Sequence, residues 1–212
     1  SDALGATRNE GYLSRKVNCD CHVTNLSRNS ALVSDASSDG GYAQPVGISS
    51  NINDRGIAEV IMDCPPVNAL TVAEWFEVAD TITALGRDTK VRVVVLRAEG
   101  RGFNAGVDIK EMQNTQGFDA LIGANKGCYA AFAAVYDCPV PVITAVAGFC
   151  VGGGIGLVGN SDIIIASDDA FFGLPEVDRG ALGAATHLAR LVPQHKMRAM
   201  VYTSATATAA EL

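Results

Sequence analysis

The stretch that decides the fold runs from Gly148 to Glu176 and reads GFCVGGGIGLVGNSDIIIASDDAFFGLPE. Its triple glycine at 152–154 opens a predicted helix, which is followed by a strand and then by a Pro-Glu pair. Glycines at a helix start leave unpaired backbone N–H groups open to a ligand, and the helix dipole adds partial positive charge. The stretch therefore predicts an anion site. The alternative is that the glycines only permit tight turns and close packing.

Strands and helices alternate along the chain around this stretch. Thr71 and Glu74 have the spacing of a capping box, which predicts a helix over about residues 71–86. An apolar strand is expected from Gly56 to the turn at Asp63. Apolar periodicity predicts further strands over 91–96, 140–146 and 163–166, and helices over 118–136 and about 184–191. The β-branched run over 91–96 is typical of a strand buried on both faces. This alternation predicts an α/β domain with mostly parallel strand pairing.

The composition changes near residue 50. Residues 1–50 are rich in Ser, Asn, Asp and Gly and sustain neither a helical nor a strand period, which predicts a poorly ordered extension. Residues 51–192 are expected to form the folded core. Residues 193–212 begin a further helical region that is truncated at Leu212.

The overall composition favours a protein that binds a small molecule. A chain of 212 residues with 48% apolar and 18% charged residues buries one substantial core. Its net charge of −7 argues against nucleic acid as a partner, because phosphate backbones bind clustered Lys and Arg. The uncharged run over 138–159 contains prolines and glycines, so it predicts a buried strand, a turn and a helix rather than a membrane span. Ser1 begins no signal sequence, and a soluble protein without a membrane partner is expected.

The six cysteines form no CxxC pair and no regular framework. This usage favours packing as small apolar groups in a reducing cytoplasm. Zinc bound by Cys19, Cys21 and His22 is an alternative, but no second ligand pair follows at a suitable spacing. The sequence therefore predicts no metal site.

Three ordered motifs carry a family resemblance: GRGFNAGVDIKEM at 100–112, AVAGFCVGGG at 145–154 and SDIIIASDDAFFGLPEVDRGALG at 161–183. Over roughly residues 55–212 the chain resembles the crotonase superfamily, the enoyl-CoA hydratase and isomerase group. The resemblance implies a ClpP/crotonase α/β fold with repeated ββα units, whose C-terminal helical part is truncated here. It also implies an acyl-CoA partner, with coenzyme A as part of the substrate and no separate cofactor, and a homotrimer or dimer of trimers.

Two segments rich in small residues can supply backbone donors to one oxyanion, the turn at 103–108 and the triple glycine. By motif position, the resemblance implies that the amides of Val107 and Gly153 hold a thioester enolate. The positions expected to contact substrate are Ala105, Asp108, Ile109, Lys110, Gly152 and Tyr129. For Lys110 the two interpretations are a contact with CoA phosphates and a surface ion pair. Tyr129 and its neighbour Cys128 either line the acyl pocket or, by default, pack in the core.

Family members with hydratase activity use two glutamates. Here the second is present as Glu176, whereas Gly156 occupies the first position. One carboxylate can serve as a single general base, but the paired machinery for hydration is incomplete. We therefore expect Glu176 to activate water, with His187 or Asp178 assisting. The alternatives are a packed, hydrogen-bonded residue for His187 and a solvated turn for Asp178.

The motifs together with LPEVDRGALGAATHLARLVPQH are most similar to actinobacterial crotonases of steroid degradation. That subgroup opens a ring of a bicyclic keto-acyl-CoA by hydrolysis of a carbon–carbon bond. The expected function is therefore a hydrolytic enzyme of steroid catabolism that stabilises a thioester enolate. The alternatives are a Δ3,Δ2-enoyl-CoA isomerase, an enoyl-CoA hydratase, and an acyl-CoA-binding fragment without catalysis.

Overall fold

The computed structural model describes residues 46–179 and 183–212. The expected extension and the zinc alternative fall on residues 1–45, outside the described part.

Strand β1 spans Gly47–Ile52 and pairs antiparallel with β2, Ile57–Asp63. The boundary at residue 50 was therefore wrong, because residues 47–50 belong to the sheet. Their strand was missed because it is a half-exposed edge strand with only two large apolar residues, Ile48 and Ile52.

The central sheet has five strands in the order β1-β2-β3-β5-β7, where β3 is Val93–Ala98, β5 is Val142–Val146 and β7 is Ile163–Ala166. Strands β2, β3, β5 and β7 pair in parallel, which confirms the predicted parallel pairing. Strand β3 alternates between buried Val94 and Leu96 and half-buried Val93 and Val95. The expected burial of both faces was wrong for this strand, because one face is covered much more completely than the other.

Two long helices pack against each other beside this sheet: α1, Val72–Arg87, and α3, Asp119–Tyr136. The predicted capping box is confirmed, since Thr71 Oγ1 accepts from Glu74 N at 3.3 Å and Glu74 Oε2 accepts from Thr71 N at 2.7 Å. The apolar stripe of α1 is buried, with Trp75 and Ile82 fully inaccessible. Helical spacing of apolar residues therefore places Trp75 in the core.

A second sheet consists of short strands that follow the strands of the central sheet. Strands β4, Gly102–Asn104, β6, Phe149–Val151, and β8, Phe171–Gly173, are parallel to one another. Each comes directly after β3, β5 or β7, and a helical segment follows each. This order forms the repeated ββα units that the family resemblance implied.

The remaining elements are short. Helix α2 is Ile109–Asn114, α4 is Gly153–Val158, α5 is Ala185–Leu188 and α6 is Gln194–Thr203, with 3₁₀ turns at Pro175–Arg179 and Ala209–Glu211. Strand β9, Thr206–Thr208, pairs antiparallel with β8, so residues 193–212 are not wholly helical as expected. The uncharged run over 138–159 forms β5, β6 and α4, as predicted. Within 46–179 and 183–212, every helix is too short or too polar to cross a membrane.

Candidate active site

Three neighbouring parallel strands end at the candidate site. Strands β4, β6 and β8 lie side by side, with Asn104 opposite Cys150 and Val151 opposite Gly173. The carboxyl ends of parallel strands meet at one edge of a sheet. Beyond these ends come the loop over 105–108, the glycine turn over 152–154 and the Pro-Glu pair at 175–176. The fold therefore brings together the three segments that carry Val107, Gly153 and Glu176.

The loop after β4 leaves one backbone N–H group unused. Its other three N–H groups donate as follows: Ala105 to Asn68 O at 3.3 Å, Gly106 to Asn104 Oδ1 at 2.8 Å and Asp108 to Leu70 O at 2.8 Å. Val107 N donates to no residue that the structure describes, and Val107 is only half-buried. The free donor of the loop is thus at the position that the motif assigned to the oxyanion hole.

The glycine turn after β6 has a second free donor. Gly152 N donates to Gly173 O at 3.2 Å, whereas Gly153 N, the first in α4, has no acceptor within the described residues. Gly152 has φ 59° and ψ −124°, a conformation that a residue with a side chain adopts only at a cost. A helix start always leaves such N–H groups without an intrahelical partner. The turn thus leaves Gly153 N without a partner either in the helix or on β8.

The two donor segments lie in contact. A Cβ built on Gly106, whose φ is 86°, would stand 3.0 Å from Gly153 N and 3.5 Å from Gly152 Cα. Any side chain at position 106 would therefore cover the Gly153 donor as well as strain its own backbone. With glycine at position 106, a small space beside Gly153 N is left open. That arrangement can hold a negative oxygen.

Glu176 adds a carboxylate next to this space. Its Oε1 lies 3.3 Å from the position of a Cβ built on Gly152, and its Oε2 is buried without a partner among the described residues. Burial raises the pKa of Glu176 above its ordinary value of 4.5, and a hydrogen bond from its own backbone N–H opposes this shift. A carboxylate with one oxygen, Oε2, buried and unpartnered among the described residues is suited to accept a proton.

An open cleft of about 430 Å³ adjoins Glu176. It is lined by Leu174, Val177 and Val201 and by the start of α5 at Ala184–Thr186. Apart from the carboxylate and the Thr186 hydroxyl, the side chains of this lining are apolar. The cleft thus suits an apolar acyl group whose reacting end reaches Glu176.

Phe132 fills the position where the family resemblance puts a first glutamate. A Cβ on Gly156 would overlap the Phe132 ring. The ring is itself held edge-on by Trp75 at 5.8 Å and by His187 at 5.0 Å between centroids. A side chain at position 156 therefore requires the Phe132 ring to move. The site contains one glutamate and an aromatic wall.

His187 lies behind α4 and not against a carboxylate. Its Nδ1 is 2.9 Å from Asn160 Nδ2, and because an amide nitrogen only donates, Nδ1 accepts and the proton is on Nε2. Burial and the nearby Arg190 lower the pKa of His187 below its ordinary value. Within the described residues no Asp or Glu lies at ion-pair distance from it. The structure does not bring His187 to Glu176 or Asp178, and its catalytic role stays a prediction.

The other predicted site residues lie around the loop and on the surface. Asp108 caps α2 by accepting from Lys110 N at 2.7 Å, and Ile109, Lys110 and Asp178 are exposed. Lys110 makes no ion pair with any described residue. Tyr129 is 74% exposed on α3, so the default expectation of core packing was wrong for it. Cys128 does pack on the core, where burial raises its thiol pKa to about 12. The substrate contacts expected of these residues stay predictions.

Sequence reasoning missed Asn68 and Asn104. Both are buried and hydrogen-bonded to the loop that carries Val107. Asn104 stands inside the quoted FNAG motif, and a polar residue in an otherwise apolar, glycine-rich segment was the available signal. The partner of Asn104 is 36 residues earlier in the chain, which no local pattern indicates.

Repeated ββα units, with unpaired amides at Val107 and Gly153 in two adjoining segments and a glutamate near the second segment, are typical of the crotonase class. The sequence profile of the enoyl-CoA hydratase/isomerase family matches residues 53–212, and the chain belongs to this family.

Two named relatives are each 67% identical to the chain over the part that aligns. The chain is 67% identical over 167 residues to a (7aS)-7a-methyl-1,5-dioxo-2,3,5,6,7,7a-hexahydro-1H-indene-carboxyl-CoA hydrolase of Rhodococcus jostii, covering 79% of this chain and 65% of the relative. A hydrolase of the same name from Mycobacterium tuberculosis is 67% identical, covering 78% and 67%. A crystal structure of an enoyl-CoA hydratase from Mycobacterium smegmatis superposes with a TM-score of 0.74 at 28% identity, covering 79% and 66%. The chain thus spans about two thirds of the length of the curated relatives it matches.

We predict that Gly156 and Phe132 are energetically coupled. Gly156→Ala forces a methyl group into the Phe132 ring, which should lower the free energy of unfolding by roughly 1–3 kcal/mol. In a Phe132→Ala background the methyl group has room, so the same change should cost little. Urea unfolding of the four proteins measures the coupling. Gly183→Ala, where a Cβ meets open space, is the matched control and should be additive with Phe132→Ala. Equal costs of Gly156→Ala in both backgrounds would contradict the packing.

We predict that the Glu176 carboxyl makes the free energy of unfolding fall as the pH rises. The folded state holds the Glu176 proton more tightly than the unfolded chain does, because burial raises this pKa. The contribution of Glu176 to the free energy of unfolding therefore falls as the pH rises from 4.5, the ordinary pKa, through the raised pKa of the folded state. Above the raised pKa this contribution no longer changes with pH. Glu176→Gln removes the effect, so the variant should gain stability relative to the unmutated protein across that window.

Urea unfolding between about pH 4 and pH 8 tests this. Glu77→Gln, an exposed glutamate of α1, controls for the loss of one charge. The difference in unfolding free energy between Glu176→Gln and the unmutated protein should grow as the pH rises. If it stays constant or shrinks, the Glu176 carboxyl is not desolvated.

Proposed function

We propose that the protein hydrolyses a ring carbon–carbon bond of a bicyclic diketone CoA ester, the substrate class named for its relatives. The observation that carries the proposal is the presence of two amides without acceptors among the described residues, at Val107 and Gly153, together with Glu176, whose Oε2 is buried and unpartnered there. The identity of 67% to two hydrolases of that name supports the same reaction for this chain.

The proposed reaction needs one base and one oxyanion site. Glu176 takes a proton from water as the water oxygen bonds to a ring ketone carbon. The bond from that carbon to its ring neighbour then breaks, and a carboxylic acid forms. The electron pair of the broken bond passes through the conjugated system to the thioester oxygen, which the two amides hold as an enolate. Glu176 returns its proton to carbon, so the net change is the addition of one water.

The structure favours this reaction over simple hydration. Hydration in this family uses two glutamates, and here Phe132 occupies the space of the first. An isomerase needs only one carboxylate, so it is the second candidate that the single Glu176 supports. A purely binding role leaves the buried, unpartnered Oε2 of Glu176 without a purpose.

A substrate panel in ¹⁸O-labelled water tests the proposal. With a cyclic diketone CoA ester we expect a product heavier by one water, with the label in a new carboxyl group found by tandem mass spectrometry. Glu176→Gln should lower kcat by roughly 100-fold or more, because it removes the base. Glu77→Gln is the matched control and should keep the rate. Unlabelled product of unchanged mass would indicate isomerisation. Faster hydration of a linear enoyl-CoA than of the cyclic ester would overturn the proposal.

The same proposal includes assembly in the cytoplasm as a homotrimer or a dimer of trimers. The four described cysteines are free thiols, which supports a reducing compartment. Strand β7 is the edge of the central sheet, and its residues Ile163, Ile164 and Ile165 are 50%, 39% and 49% exposed. Contiguous exposed isoleucines support a surface that a second copy covers.

Sedimentation equilibrium tests the assembly. The unmutated protein should sediment at three or six times its mass of 22.0 kDa, and Ile164→Glu should shift it toward one times that mass. Ser50→Glu, on the exposed part of edge strand β1, is the control at the opposite side of the sheet and should leave the mass unchanged. A monomeric unmutated protein would contradict the proposed assembly.

A further inference from the structure

A buried pair of asparagines underlies the loop that carries Val107. Asn68 is 3% exposed and Asn104 is 0% exposed. The Asn68 side chain accepts from Cys64 N at 2.7 Å and donates to Glu99 O at 2.8 Å and Gly102 O at 2.9 Å. Both hydrogens of its amide nitrogen are therefore used. Asn68 also has φ 52°, a left-handed conformation that asparagine tolerates better than most residues. It ties the turn after β2 to both ends of the β3–β4 connection.

Asn104 transmits this anchor to the donor loop. Its Nδ2 donates to Asn68 O at 2.7 Å, and its Oδ1 accepts from Gly106 N at 2.8 Å. The second bond closes a turn over the peptide unit next to Val107. Because Asp108 N is bonded to Leu70 O, the backbone is held on both sides of Val107 N. The direction of the free Val107 donor thus depends on the Asn104 side chain.

Asn104 also contacts the other donor segment. A Cβ built on Gly154 would lie 3.1 Å from Asn104 Cβ, 3.1 Å from Asn104 O and 3.2 Å from Asn104 Oδ1. The first turn of α4 therefore rests directly on Asn104. Gly153, whose N–H is the second free donor, is the residue immediately before this contact. One side chain bonds to the first donor loop and packs against the second.

We propose that Asn104, anchored by Asn68, is the positioning residue that sets the separation of the Val107 and Gly153 donors. The inference rests on the proposed oxyanion function and assigns Asn104 no contact with substrate. Donors stabilise a developing charge only when they are already at the right distance. A misplacement of about 1 Å costs on the order of 100-fold in rate.

Three variants separate positioning from folding. Asn104→Leu removes both side-chain hydrogen bonds while keeping the number and branching of the side-chain heavy atoms. Asn104→Asp keeps an acceptor for Gly106 N but loses the donation to Asn68 O. Thr144→Val is the matched control, since Thr144 is also fully buried and its hydroxyl bonds to Ser161, on a strand of the central sheet. Urea unfolding of all three places them on one scale of stability.

The first readout is the carbonyl stretch of bound butanoyl-CoA labelled with ¹³C at the thioester carbon. This probe has no ring to open, so the spectrum reports the donors without turnover. The unmutated protein and Thr144→Val should shift the band to lower frequency. Asn104→Leu should lose most of the shift and Asn104→Asp part of it. The dissociation constants should stay within about threefold, because the contacts to the CoA moiety remain.

The second readout is kinetic. Asn104→Leu should lower kcat on the cyclic ester by roughly 100-fold with little change in KM, because the loss falls on the transition state. If Asn104→Leu does not fold, the test rests on the band shift and kcat of Asn104→Asp alone. A full band shift or full kcat in the folded Asn104 variants would overturn the inference while leaving the proposed function intact. No band shift with the unmutated protein would overturn the proposed oxyanion site, and the inference with it.

Discussion

The parallel pairing of three short strands, β4, β6 and β8, is the constraint on which the rest of the site depends. Each strand is only three residues long, so their mutual hydrogen bonds alone do not stabilise them. They are held because each one directly follows a longer strand of the central sheet. Pairing in parallel then aligns their carboxyl ends, and the segments with Val107, Gly153 and Glu176 emerge side by side.

Glycine and asparagine convert this alignment into a site. The contact between Gly106 and Gly153 is possible only without side chains, and the hydrogen bonds of Asn68 and Asn104 use the neighbouring N–H groups. The N–H groups of Val107 and Gly153 thus stay unpaired within an ordered set of hydrogen bonds, and not because the backbone around them is disordered. Phe132 then closes the position over Gly156, so that Glu176 is the carboxylate next to the donors. One base and two donors suit hydrolysis through an enolate better than hydration.

Much of the fold could be predicted from the sequence, because long elements carry clear signals. The capping box at Thr71, the stripe on α1 and the strand at Ile163–Ala166 were all evident. Strands β4, β6 and β8 were not, since three residues are too few to show a period of two. Edge strand β1 was missed for a different reason. It is largely solvated, so its sequence shows no alternation of apolar and polar residues.

The motifs of the candidate site could be predicted from the sequence, but the buried contacts that hold them in place could not. The FNAG and GGG segments predicted two sources of backbone donors, and the family resemblance assigned them to Val107 and Gly153 and the acid to Glu176. The contacts of Asn104 with Asn68, and of Phe132 with Gly156, join residues 24 or more positions apart. The burial of His187 against Phe132 and Asn160 is of the same kind. Such contacts depend on the packed fold, so periodicity and spacing do not indicate them.

The central claim is that the amides of Val107 and Gly153 converge on one oxygen. A crystal structure of the protein with a bound, unreactive thioether or thioester analogue of an acyl-CoA that retains the carbonyl oxygen tests it most directly. We expect this oxygen to lie about 2.7–3.1 Å from both nitrogens, with a Glu176 carboxylate oxygen facing the acyl chain. A carbonyl oxygen bound to neither amide, or bound elsewhere in the cleft, would contradict it.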